Sequence, residues 1–435
     1  MNIHKYLVCC LAVFTAAPAF AADIAIIHAG RLLAVPGAPV ATEQSVIIRD
    51  GRVAAVVSGY VGASAADAGA DDTVTVHNLK NMFVMPGLID GHTHITGELS
   101  PRSKLERVEM PDAEVALRAA LYAQRTLRAG FTTIRNLGAN PEVIIPLKKS
   151  INAGYVEGPR IFAATNGISA TGGHGDSHGL RQEILDLYSD PGICDGADDC
   201  RRAVRAVVKS GADQVKLTAT GGVLSETDAG TGQQFYDDEL KAIMDTAHSL
   251  GRRTAAHAHG ADGINSALRA GVDSIEHGSY STDESFRLFK RNGAFLVPTI
   301  LAGVTVMKMA EPDDTFMPPP IRAKALAVGP QMMDMVRRAH KAGVKIAFGT
   351  DSGVSRHGDN AREFRLLVEA GMTPMEAIHA ATVNGAANLG KTDVLGTIEP
   401  GKYGDLVAVE GDPLSDITEL EDIDFVMKEG VVYKM

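Results

Sequence analysis

From Met82 onward the chain repeats one pattern: a short apolar run, a turn containing Gly or His, then a stretch with helical spacing. The apolar runs end at Ile89, Arg135, Ala164, Thr218, His257, His277, Thr299 and Thr350. Helices are predicted over 112–129, 142–153, 197–210, 237–250, 260–270, 282–292, 322–342 and 360–370. Parallel strands need a long crossover, and a helix supplies it, so eight such units predict an α/β fold of the (β/α)8 TIM-barrel type. The alternative is a doubly wound open sheet. Its first strand more often leads into a Gly-rich dinucleotide turn, whereas here the turn reads Asp90-Gly-His-Thr-His. In the first helix, Val115, Leu117, Ala120, Leu121, Ala123 and Leu127 are expected to form the buried face.

The ends of the chain break the pattern. Ile24–His28, Ser45–Arg49, Val53–Val57 and Val74–His77 read as short strands, with a hairpin turn at Asp50-Gly51. Asp405–Val409 and Phe425–Tyr433 are strand-like as well. Residues 22–81 and 394–435 are therefore expected to form a small β-sandwich domain from both termini, around a barrel spanning 82–393. The segments 167–195 and 300–321 are expected to be long loops, of the kind that serve as lids or binding loops.

Lys5, the apolar run Leu7–Ala17 and Ala19-Phe20-Ala21 have the layout of a secretory signal, residues 1–21, cleaved after Ala21. The competing reading, a transmembrane anchor, needs a run long enough to cross about 30 Å of hydrocarbon, and this one is too short. The expected location is secreted or periplasmic. Cleavage would leave Cys194 and Cys200, which in an oxidising compartment are expected to form a local disulfide; a zinc pair is the alternative. With 42 Lys and Arg against 53 Asp and Glu, the formal charge of −11 argues against a nucleic-acid partner. The expected partners are a small-molecule or dipeptide substrate and further copies of the chain in a homo-oligomer, with no stable membrane anchor.

Five of the 14 histidines stand at or just after strand ends: His92, His94, His257, His259 and His277. Barrel enzymes build their sites on that face. Side chains at i and i+2 of a strand share a side, so His92 and His94 can face the barrel mouth together. Imidazoles so placed suit zinc or a similar divalent ion. Asp351, just past the eighth strand, is read as a carboxylate beside the metal that carries a proton; its other reading is a helix cap. Lys216 interrupts an apolar strand, where an unpaired ammonium is costly. An ammonium has no lone pair for a metal. Its neutral amine, however, can capture carbon dioxide as a carboxylate-like carbamate.

Taken together, Pro86-Gly-Leu-Ile-Asp-Gly-His-Thr-His, Lys216 before Ala-Thr-Gly-Gly-Val, His257-Ala-His-Gly, Ile275-Glu-His-Gly and Gly349-Thr-Asp-Ser resemble the amidohydrolase superfamily. The tail from Gly396 to Val407 resembles the segment that returns such chains to their small β-domain. The resemblance implies two divalent metal ions, zinc by preference. One would be held by His92, His94 and Asp351, the other by His257 and His277, with Lys216, carboxylated on its side-chain nitrogen, bridging them. Thr171-Gly-Gly-His-Gly-Asp and the Ala-Thr-Gly-Gly-Val-Leu-Ser loop are similar to the branch related to Xaa-Pro dipeptidases and imidazolonepropionases. That branch includes carboxypeptidase-like and ochratoxin-hydrolysing amidohydrolases. Arg135-Asn136 departs from the Arg-Asp associated with it.

The reaction expected is amide hydrolysis releasing a C-terminal, hydrophobic amino acid from a dipeptide or N-acyl amino acid, ochratoxin-like amides included. The alternative is hydrolysis or deamination of a cyclic amide on the same scaffold. Asp351 would carry the proton, and His259 or His174 would hydrogen-bond the developing oxyanion. His174 and His178 lie in a Gly-rich loop open to substrate contact. Arg135, Arg356 and His357 follow strand ends and are candidates to receive the substrate carboxylate, with Tyr236 as a further contact.

Overall fold

The computed structural model describes residues 21–187, 190–226 and 230–435, so the expected secretory segment lies outside the described residues except for Ala21. Strands and helices alternate through the middle of the chain. The strands are β1 (Asp23–Leu32), β2 (Ala41–Arg49), β3 (Arg52–Ser58), β4 (Thr73–Pro86), β5 (Leu88–Thr93), β6 (Phe131–Leu137), β7 (Arg160–Ala164), β8 (Val215–Thr218), β9 (Thr254–Ala258), β10 (Ser274–His277), β11 (Phe295–Val297), β12 (Lys345–Ile346), β13 (Leu406–Val409), β14 (Phe425–Lys428) and β15 (Val431–Lys434). Each predicted helix is present, with ends within three residues of the expected ones.

Strands β5 to β12 are parallel and lie in two sheets, ordered β5-β6-β7 and β12-β11-β10-β9-β8. Isolated parallel bridges link their margins. Ile168 pairs with Leu217 beside β8, and Thr93 at the end of β5 pairs with Ser352. Alternation along the strands sorts the side chains. Val215, Leu217, Ala256, Ala258 and Ile275 join the large apolar core that also holds Leu240, Ile243, Ile264 and Leu268 of the surrounding helices. Lys216, His257, Ser274 and Glu276 therefore point to the other side of the strands, away from the helices.

The strands from both ends of the chain lie in a single seven-stranded sheet, β15-β14-β13-β4-β1-β2-β3, where a two-layer sandwich was the expectation. The Asp50-Gly51 turn is present between β2 and β3, with both residues at positive φ, as a tight hairpin requires. The run 425–433, expected as one strand, is two, reversed at Glu429-Gly430, again at positive φ.

Two further expectations are corrected. The buried stripe of helix Asp112–Arg128 is Ala119, Tyr122, Ala123, Thr126 and Leu127, while Leu117 is 75% exposed and Leu121 is 45% exposed. The segment 300–321 is not a loop, because Ile300–Ala310 is a helix and another begins at Pro319. Its first two free amides are capped from far away in sequence, by the buried Glu363 carboxylate at 2.9 and 2.6 Å. By contrast, the described part of 167–195 is largely irregular, and the expected Cys194–Cys200 disulfide ties its base to helix Ala197–Lys209. Among the described residues no helix is long and apolar enough to cross a membrane.

Candidate metal centre

The chain reaches the site through tightly pinned backbone. β5 is buried along its length. Asp90 accepts hydrogen bonds from the His92 amide (3.0 Å), the Thr350 amide (3.1 Å) and hydroxyl (2.6 Å), and Asn360 Nδ2 (2.8 Å). This ties the His92-Thr-His segment to the strand end that carries Asp351. A Cβ at Gly91 would stand 2.8 Å from the Phe348 carbonyl oxygen, so the two backbones approach this closely only because Gly91 has none. Asp351, His277 and Thr299 adopt left-handed backbone, with φ of +57°, +69° and +51°. Each such conformation costs on the order of 1–3 kcal/mol, and the surrounding packing must offset it.

Two groups of three ligand atoms result, His92, His94 and Asp351 in one and His257, His259 and His277 in the other, each within 4.8 Å of one another. Asp351 Oδ1 lies 3.4 Å from His92 Nε2 and 3.3 Å from His94 Nε2. The groups adjoin, with the His92 and His277 ring centroids 5.1 Å apart. His174 packs against His257 at 4.2 Å between centroids. Gly222 makes room for it, since a Cβ there would come within 2.2 Å of the His174 ring.

Burial sets the electrostatics. Desolvation, reinforced by the charge of Lys216 and by neighbouring imidazoles, holds His92, His257 and His277 far below the usual histidine range. Desolvation also takes His174 and His259 to about 3. His94, with 37% of its side chain exposed, is the least depressed, at about 4. All six are neutral at pH 7 and keep the lone pair that a cation needs. Desolvation brings Lys216 down to about 8, with Glu276 and Asp351 opposing it. Burial thus moves the amine toward its neutral form, and the neutral form is the one that adds to carbon dioxide. Desolvation pushes Asp351 up to about 7 against the pull of Lys216.

The donor set fits divalent cations. Buried His257 Nε2, Asp351 Oδ1 and His174 Nδ1 have no hydrogen-bond partner among the described residues. Orphaned buried atoms are rare and call for an explanation. Three of them within a cluster of neutral imidazoles and one carboxylate make a ligand set for zinc or a similar ion.

Of the expected substrate contacts, two are corrected. Arg135 is fully buried, and it donates from Nε to the Gly91 carbonyl (2.5 Å), from Nη1 to Ser274 Oγ (3.1 Å) and from Nη2 to Glu276 Oε1 (2.7 Å). Removing either partner of this buried ion pair leaves an uncompensated charge, at a cost of about 3–5 kcal/mol. His357 is buried with both ring nitrogens engaged, Nδ1 with Ser352 Oγ (3.0 Å) and Nε2 with the Gly97 carbonyl (2.9 Å). Tyr236, 79% exposed, and Arg356, also exposed, do not join the buried cluster. His178 turns back on its own loop, Nε2 to the Gly173 carbonyl at 2.7 Å. His259 and His174 do belong to the cluster, His259 with Nδ1 2.8 Å from Ser279 Oγ.

The sequence reading passed over four residues. Glu276 Oε2 lies 2.8 Å from His92 Nδ1, and Thr299 Oγ1 lies 2.6 Å from His277 Nδ1. Ser279 holds His259 as above. Lys324, on helix Pro319–Lys341, donates to the Gly222 and Ser225 carbonyls at 2.8 and 2.7 Å, and its charge helps depress His259 and His174. Asn136, at the position that departs from Arg-Asp, accepts from the Ile95 amide at 2.7 Å and so shapes the turn after β5.

The model of the Amidohydrolase family matches residues 83–433. The crystal structure of a Xaa-Pro dipeptidase with methionine bound in its active site superposes with a TM-score of 0.88 at 40% identity, covering 95% of this chain and all of that one. Ochratoxinase of Aspergillus niger is 33% identical over 436 residues, 95% of this chain and 87% of the fungal one. Imidazolonepropionase of Sphingopyxis alaskensis is 25% identical over 389 residues, 84% of this chain and 88% of the other.

Proposed function

Because this chain belongs to the amidohydrolase family and is a metal-dependent hydrolase of amide bonds, we propose that it releases a C-terminal hydrophobic amino acid from dipeptides or N-acyl amino acids, ochratoxin-like amides included. The observation that carries this reading is buried Lys216, whose charge acts on both ligand groups and whose amine burial moves toward the neutral form that a carbamate needs. In this reading His92, His94 and Asp351 would hold one divalent ion and His257 and His277 the other, with Lys216, once carboxylated, as a ligand shared by both. Such ions, zinc by the chemistry of the donors, acidify water and polarise a carbonyl when bound.

The side chains then have separate tasks. Asp351 takes a proton from the attacking water and returns it to the leaving nitrogen. His259 and His174, neutral and beside the second group, are placed to steady the carbonyl oxygen as charge develops on it. The linked margins of the two parallel sheets support one closed (β/α)8 barrel over residues 82–393. The terminal sheet would then be a separate small domain. The Cys194–Cys200 disulfide supports a secreted or periplasmic location, and a homo-oligomer belongs to the same proposal.

The similarity to imidazolonepropionase keeps a cyclic-amide hydrolase as the second reading. The deciding experiment is metal analysis of purified protein, with N-acyl-phenylalanine assayed against a hydantoin and an imidazolone. The expected result is two metal ions per chain and free phenylalanine as product. Turnover of the cyclic amides alone would replace this reading with the second.

A further inference from the structure

The buried pair beneath His92 has a consequence for that residue. Glu276 is wholly buried. Its Oε1 accepts from Arg135 Nη2 (2.7 Å) and Ser274 Oγ (2.6 Å), while its Oε2 faces His92 Nδ1 at 2.8 Å. An ionised carboxylate can only accept hydrogen bonds, so the ring proton must sit on Nδ1. A neutral imidazole with its proton there has its lone pair on Nε2, the atom 3.4 Å from Asp351 Oδ1. Arg135 grips the same residue twice: through Glu276 it fixes the ring, and through the Gly91 carbonyl it fixes the main chain just before it.

Among the described residues no other ring in the two groups has a carboxylate on its Nδ1. His277 and His259 lean on hydroxyls, which can donate or accept and so dictate neither tautomer. His94 Nδ1 meets only the long 3.4 Å contact to the Gly138 carbonyl, and its Nε2 stands 3.3 Å from Asp351 Oδ1. We propose that Glu276, locked by Arg135, is a positioning residue that commits His92 to the Nδ1–H tautomer and aims its Nε2 lone pair into the first ligand group. The inference rests on the reading of His92 as a metal ligand. It also explains why position 276 carries a carboxylate. A glutamine there could turn its NH2 toward Nδ1, which would move the proton to Nε2 and point a donor where a lone pair is needed.

The test reads tautomer and metal binding, not turnover. With histidine labelled in 15N and the His92 signal assigned by loss in His92→Asn, the metal-free wild-type protein should show Nδ1 protonated and Nε2 bare. In Glu276→Gln, cobalt(II) titration should show one of two sites weakened about 10- to 100-fold and the other unchanged. Ser274→Ala, which keeps the ion pair, should retain the wild-type tautomer. A wild-type His92 protonated on Nε2 would overturn the proposal, and that measurement stands even if Glu276→Gln does not fold. Wild-type cobalt affinity at both sites in Glu276→Gln would overturn it as well. Failure of the amide substrates to react would count against the proposed function and leave these readouts intact.

Discussion

His92 is held by a buried carboxylate and faces Asp351, whereas His277, its ring centroid 5.1 Å away, leans on the Thr299 hydroxyl among further imidazoles. The first group therefore has its own carboxyl, able to supply an anion to a cation, and the second has imidazoles alone. A divalent cation against His257 and His277 would have no negative charge of that group to balance it, in surroundings where an unbalanced charge is costly. Lys216 acts electrostatically on both groups. As an ammonium it would repel a cation at the second group, and as a carbamate it would supply the missing anion. The asymmetry thus makes the second group depend on Lys216 more than the first does.

The largest effect should follow from removing that dependence. Lys216→Ala is expected to abolish turnover and to bind fewer than two metal ions per chain. The loss should fall on the His257 and His277 side, and short carboxylic acids should restore part of the activity. Full activity with two tightly held ions would end both the bridge and the asymmetry. Next comes the half that has its own carboxyl. Asp351→Asn keeps a ligand oxygen but not the base, and turnover should fall at least about a hundredfold, the usual scale of general acid–base work. Steady-state kinetics at saturating substrate measure it, and near-wild-type turnover would assign the proton to another route.

Much of this was legible in the sequence, for reasons that also explain the misses. Histidines directly at strand ends, a lysine inside an apolar run and Asp-Gly between two strands are local signals, and the corresponding features stand where they were expected. Glu276 carried the same signal as Lys216, a charge interrupting a buried strand, and the tetrapeptide around His277 displayed it openly. Arg135 was read as facing the substrate because spacing places a residue at a strand end without saying which partners surround it. Thr299 offered no signal, since hydroxyls are common and its role depends on a left-handed backbone that no residue type announces at a non-glycine position. The helix Ile300–Ala310 was hidden for a similar reason, as its cap, Glu363, lies about sixty residues downstream. Leu117 and Leu121 misled because apolar residues on that helix occupy more than one stripe, and only packing decides which stripe is buried.

The smallest effect compares the two groups without any metal, through the acid stability of the metal-free protein. His259 is buried and neutral, its pKa taken down to about 3 from 6.5, so between these values the unfolded chain binds more protons than the folded one. Stability from this site is fully present above pH 6.5 and is lost as pH falls. Asp351 runs the other way. Its pKa is raised to about 7 from 3.8, so across that window the folded chain binds more protons, and stability is lost as pH rises. The groups should therefore respond to pH with opposite signs in single variants. In denaturant titrations of metal-free protein, His259→Gln should gain on the wild type as pH falls from 6.5 toward 4, because the variant has no imidazole to charge. Asp351→Asn should instead gain as pH rises from 4 toward 7, because it has no carboxyl to ionise in a buried site. The crossing of the two difference curves is the signature of one group of buried bases and one group that holds a buried acid. Parallel curves would mean that both groups meet the solvent alike, and the contrast between them would then lie in their ligands alone.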